Sequence, residues 1–287
     1  MKFFVAIACT WLLAVAAQAQ VQVELNFKRI QHIAYEPVIA TVNITNLAGR
    51  EIELRDDAGQ PWFGFEITAD EGRFLSPIGN QSEPALKISA GQTVTRKVNL
   101  TPRFPVHDYG HYHVRAHVFF ADLNKFFYSQ TKVFQVGDAR PIWQRTVGIP
   151  EGLPDAGEMR TYSLLSNRFP DHTSLYVRVE DKSTGAVFRT YSLGRTIVFD
   201  QPQAELDRAN QLHVLHCAAP RTWAYSRIGL QGELLAHNTF METKTRPHLR
   251  RAPDGSVAVH GGMLDAPVKT SPGSKLSERP SSPPLDD

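Results

Sequence analysis

Cysteine is nearly absent from this chain: 2 residues in 287. Cys9 falls within an apolar leader, so Cys217 is the one expected to remain after processing. A lone cysteine forms no internal disulfide, so the fold must be held by its apolar cores. Other absences narrow the function. The formal net charge is only +2, and no basic block stands out, which argues against nucleic acid as a partner. Beyond the leader no apolar run reaches the roughly 20 residues of a membrane-spanning helix. There is no G-x-S-x-G elbow, no H-E-x-x-H, no phosphate-binding loop and no dinucleotide-binding glycine pattern. The acids Asp171, Glu180, Asp181 and Asp207 are present, but the sequence does not pair them at glycosidase distances. These absences favour a non-catalytic role and call for no cofactor.

The first segment carries the main functional signal. Lys2 gives a short positive start, Phe3 to Ala17 is almost continuously apolar, and Ala17-Gln18-Ala19 has the small-x-small pattern that signal peptidase cuts after. Residues 1–19 therefore read as a secretory signal peptide, cleaved after Ala19, and the mature chain is expected to be secreted or periplasmic. The short Ala-rich leader reads as bacterial. On that reading the N-x-S/T matches at Asn43, Asn80 and Asn99 are chance occurrences, since they matter only in a eukaryotic source.

Helical periodicity is scarce and two-residue alternation recurs. In 37–45, Val38, Ala40, Val42 and Ile44 share one face, the pattern of a half-buried strand. Further strands are expected at 21–29, 62–68, 93–100, 112–120 and 125–136, separated by turn residues such as 46–49, 70–72 and 90–91. Short strands at this spacing predict an all-β sandwich or barrel.

Asp108-Tyr109-Gly110-His111-Tyr112-His113-Val114 resembles the D-x-G-x-Y-x-C motif that opens strand F of immunoglobulin-like domains. The resemblance covers residues 20–137 and implies an antiparallel β-sandwich. Tyr112 would be the corner tyrosine, bonded back to nearby backbone, and Trp62 the core tryptophan of strand C. Val114 stands where the motif has cysteine, and the strand-B cysteine is also missing. The resemblance bears on fold, not on function.

Residues 138–160, with Pro141, Pro150 and Pro154, are expected to form a linker. A smaller antiparallel β region of hairpins is expected at 161–264. Within it Leu175-Tyr176-Val177 matches Leu212-His213-Val214 at an offset of 37 residues, which also places Phe188 on Tyr225. A third hairpin is expected from 247–251 with 257–260. The strand pairs are similar to those of sialidase-like β-propellers, although about 110 residues are too few for the four blades of a closed ring. The Pro- and Ser-rich stretch 265–287 is expected to be a disordered tail.

Two sets of residues are candidate sites. His111, His113 and His117 share strand parity, with Arg115 in the same row, and are the candidate metal ligands. Trp223 and Tyr225 are candidate ligand-binding aromatics that would stack on sugar rings. His213 and His216 lie three apart, on opposite faces of a strand, and read as structural, as does Cys217, a small buried residue. The functional expectation is a protein that presents β surfaces to an unidentified protein or polysaccharide of the cell envelope. The alternative is a carbohydrate-active accessory or degenerate glycosidase.

Overall fold

The computed structural model describes residues 20–265. The expected signal peptide and all but Asp265 of the expected tail lie outside them. Among the described residues the chain is all-β, with two single-turn 3₁₀ segments and no α-helix. No described helix is long and apolar enough to cross a membrane.

Ten strands form the N-terminal region: β1 (Val21–Phe27), β2 (Gln31–Ile33), β3 (Ile39–Asn46), β4 (Ile52–Leu54), β5 (Phe63–Ala69), β6 (Leu86–Ile88), β7 (Thr93–Asn99), β8 (Gly110–Phe120), β9 (Lys125–Tyr128) and β10 (Lys132–Gly137). One sheet has the order β1-β3-β7. A second has the order β2-β10-β8-β5, with β9 also paired to β8, and β4 pairs antiparallel with β6 in a separate two-stranded sheet. All these pairs are antiparallel except β2 with β10. The inward rows of both sheets, including Val23, Leu25, Ala40, Val42, Ile44, Phe65, Ile67, Tyr112, Val114 and Ala116, merge into one apolar core. The alternation read at 37–45 is the burial observed there, with Val38, Ala40, Val42 and Ile44 all buried. The stretch expected as one strand at 125–136 breaks into β9 and β10. Ser129 turns in between them, and its hydroxyl accepts the Ala116 N–H at 3.0 Å.

The Tyr112 hydroxyl donates to the Asp108 carbonyl at 2.8 Å. Trp62 is fully buried just before β5. Its indole N–H donates to the carbonyls of Glu83 and Pro84 at 3.1 and 3.2 Å, and the Arg96 guanidinium lies over the ring at 5.3 Å.

The span 138–160, expected as a linker, instead carries β11 (Arg140–Gly148) and the start of β12 (Met159–Arg168). β11 pairs antiparallel with β12 throughout, with a register shift at Pro141. Its alternation is faint in sequence because it is an edge strand, where proline and exposed polar residues are tolerated. β13 (Thr173–Asp181) and β14 (Val187–Thr196) complete a four-stranded meander, β11-β12-β13-β14. A second meander follows: β15 (Gln203–Leu206), β16 (Leu212–Ala219), β17 (Thr222–Ile228) and β18 (Leu234–Met241). The hairpin β19 (His248–Arg251) with β20 (Val257–His260) is the expected third hairpin, and β21 (Met263–Leu264) adds to β18.

The two meanders bury one face of each in a shared core of Val147, Tyr162, Leu164, Leu175, Val177, Val179, Leu212, Val214 and Ile228. The other face of the second meander is covered by the β19–β20 hairpin. Leu249 and Val259 pack there on Leu215, Cys217 and Trp223. Every residue of β16 from Leu212 to Cys217 is therefore buried.

Candidate functional site

The junction between the N-terminal sandwich and the first meander is built by the segment from Arg29 to Pro37. Ile33 packs with Ala139, Leu165, Phe169 and Tyr176 in a small apolar cluster. Arg29 donates to the Tyr176 hydroxyl at 3.1 Å and forms an ion pair with Glu36. Glu36 is only 4% exposed and also accepts the Ile33 N–H at 3.2 Å. Burial pushes its carboxyl up, but the His32 and Arg29 partners outweigh that and hold it below the ordinary carboxylate range. Arg178 of β13 donates to the Ala34 carbonyl at 2.8 Å.

This docking leaves a groove of about 760 Å³ between the two regions. One wall carries Tyr35, Asn99, Thr101 and His107 from the sandwich. The first meander contributes Val187 to Tyr191 of β14, and Gly232 of the turn before β18 and Leu234 at the start of β18 complete the lining. Tyr35 has φ +66°, which turns its side chain away from the strand path. Its ring stacks on His107, with centroids 4.9 Å apart and planes 11° apart, and the Arg178 guanidinium lies 5.4 Å from its centroid.

Opposite stands Phe188. The pairing of β13 with β14 jumps from Val179–Arg189 to Glu180–Val187, so Phe188 is the extra residue of a β-bulge. A bulge re-aims a side chain, and the Phe188 ring is left 41% exposed. The buried Arg160 guanidinium lies 4.5 Å from its centroid. Arg160 is in turn held by Asp181, Glu158 and Asp155 at 2.7, 2.8 and 3.1 Å. Asp181 accepts the hydroxyls and N–H groups of Ser183 and Thr184, which hold its carboxyl far below the usual range. Next to Phe188, Arg189 is exposed. Gly232, at φ +80°, lets the turn approach closely: a Cβ there would lie 2.9 Å from the Arg189 Cβ.

On β8, His111 and His113 are exposed and His117 is partly buried, and the structure does not gather the three around one point. Alternate strand residues are about 6.6 Å apart, which sets His111 and His117 roughly 20 Å from each other. His111 turns to Asp70, with Nδ1 3.5 Å from its carboxylate. His113 is exposed opposite Thr68 and Val133. His117 is half-buried beside Phe126 and Tyr128, and burial pushes its imidazole below the ordinary value. Between them Arg115 bonds Glu66 and covers the Tyr128 ring at 4.1 Å. Among the described residues no group of three or more His, Cys, Asp or Glu side chains is placed to hold a metal ion.

The aromatic pair needs correction. Trp223 is 1% exposed, and its indole N–H donates to Glu242 at 3.1 Å beneath the Arg246 guanidinium. Tyr225 is half-buried and its hydroxyl meets His213 Nδ1 at 2.8 Å, while His213 Nε2 lies 3.2 Å from Asp207. The covering hairpin takes the face that local alternation left open, so Trp223 is a core residue and does not stack on sugars. Cys217 is buried with its thiol directed to the Ala219 carbonyl, and burial pushes the thiol up. His216 is fully buried with no partner at either ring nitrogen.

Phe188 and Arg189 were not singled out as site residues from sequence. The available signal was the 37-residue offset, which sets Phe188 against Tyr225 in the second hairpin. Comparisons with protein-family models, with curated proteins and with solved structures return no match.

Proposed function

We propose that this chain is a secreted or periplasmic, non-catalytic protein that presents β surfaces to a partner, and that the groove between its two regions is the contact surface. One observation carries the reading. Side chains distant in sequence, Tyr35, Asn99, His107, Phe188 and Arg189, converge on one open groove, and the Phe188 ring is backed by the buried, ion-paired Arg160. Grooves at the junction of two packed regions are common ligand sites. The leader at residues 1–19 supports the compartment.

The N-terminal region is read as immunoglobulin-like. The facing sheets β1-β3-β7 and β2-β10-β8-β5, the Tyr112 bond to Asp108 and the buried Trp62 support that reading. Val114 then lies in the core at the position where the motif has cysteine. In the second region, consecutive up-and-down meanders packed face to face support the likeness to propeller strand pairs. Cross-linking in intact cells, followed by mass spectrometry, tests the proposal. Adducts on peptides that contain 99–107 or 187–191 are expected. Turnover of a substrate by purified protein, with no partner recovered, would contradict it.

A further inference from the structure

Resting on that reading of the groove, we infer that its ligand is an acidic oligosaccharide, one whose sugar rings carry carboxylates. The charge of the lining points this way. Arg189 is exposed and makes no ion pair among the described residues, His107 also lines the groove with Asp108 3.9 Å away, and the lining contains no Asp or Glu. Behind Phe188, Asp155, Glu158 and Asp181 are held by Arg160. Asp108 pairs with Arg73 at 3.1 Å, and Glu233 accepts the Gln231 N–H at 3.1 Å. A carboxylate entering the groove therefore meets the Arg189 guanidinium without displacing an existing ion-pair partner.

Phe188 supplies the stacking surface. A pyranose presents an apolar C–H face that lies flat on an aromatic ring. The Arg160 guanidinium lies over the Phe188 ring at 4.5 Å, and Phe188 lines the groove with 41% of its surface exposed. The ring is thus positioned before the ligand arrives, which reduces the ordering cost of binding. Asn99 adds a hydrogen-bonding group for ring hydroxyls: its Oδ1 takes the Thr101 N–H at 3.2 Å, and its amide NH₂ makes no bond among the described residues.

The same bulge disfavours an extended peptide. β14 is the last strand of its sheet, so its outer edge is a potential pairing template. The extra residue at Phe188 breaks the regular spacing of edge N–H and C=O groups, and a bulged edge pairs poorly with an incoming strand. A ligand read by side chains fits this edge better than one read by backbone.

The test is titration calorimetry on the purified full chain with a panel of uronate oligosaccharides: oligogalacturonate, oligoalginate and hyaluronan fragments. Cellohexaose is the neutral control and hexaglutamate the acidic peptide. At least one uronate should bind about tenfold more tightly than cellohexaose, and Phe188→Ala and Arg189→Gln should each weaken it about tenfold. Arg189 is exposed, so Arg189→Gln keeps the fold and leaves the result interpretable if Phe188→Ala does not fold. Absence of uronate binding, or binding untouched by Arg189→Gln, overturns the inference. If hexaglutamate alone binds and responds to Arg189→Gln, the glycan assignment fails while the groove stands. If no probe binds and cellular cross-links map elsewhere, both fail.

Discussion

His216 offers the sharpest quantitative test of the fold. It lies on β16 with Val214 and Leu212 on the face turned toward the first meander, fully buried and without a hydrogen bond at Nδ1 or Nε2. Burial pushes its imidazole down from 6.5 to about 4, His237 adds in the same direction, and the nearby Arg195 backbone opposes the shift only in part. In the unfolded chain the ring takes a proton below pH 6.5, whereas in the fold it stays neutral to about pH 4. The unfolded state therefore binds more protons across that window. Stability is complete above pH 6.5 and is lost as pH falls toward 4. A difference of about 2.5 pH units corresponds to roughly 3 kcal/mol. Urea unfolding of wild type and His216→Leu at pH steps from 8 to 4 isolates this term, because His213, Glu36 and other titrating groups are common to both proteins. Above pH 6.5 the two stability curves should run parallel, offset by packing alone. Below it the variant should gain on wild type by about 1.4 kcal/mol per pH unit. Curves that stay parallel from pH 8 to pH 4 would refute the buried, unpartnered placement of His216.

Three further outcomes follow from the structure. Tyr112→Phe removes the bond to the Asp108 carbonyl and should lower stability by about 1 kcal/mol, read by chemical denaturation. Trp223→Ala should cost about 3–5 kcal/mol by emptying a core position, while leaving binding at the groove intact wherever the variant folds. Zinc or copper at neutral pH should raise the melting temperature no more than it does in the His111, His113 and His117 triple alanine variant. A larger shift in wild type would show that the row does assemble a site.

The strands of the sandwich were legible because each has one buried and one wet face. Val38, Ala40, Val42 and Ile44 declare their side by alternation, and the tyrosine bond within Asp108–Tyr112 needs only neighbours in sequence. β11 was missed because an edge strand holding Pro141 and few buried residues carries little alternation. Trp223 was misjudged for a different reason. Alternation shows that a residue lies on a strand face, not whether a distant hairpin covers that face, and Leu249 and Val259 do so. The groove was not legible at all. Tyr35 and Phe188 are 153 positions apart in sequence, and their meeting depends on the docking of Arg29, Ala34 and Glu36 onto Tyr176 and Arg178.

The most direct test of the groove as the contact surface is site-specific photo-cross-linking in the intact envelope. Benzoylphenylalanine placed at Phe188 probes the groove, and the same group placed at Phe199, which is 100% exposed but outside the groove lining, serves as control. The account predicts a discrete adduct from position 188 that is lost with Arg189→Gln, and none from position 199. Adducts from position 199 alone would contradict it.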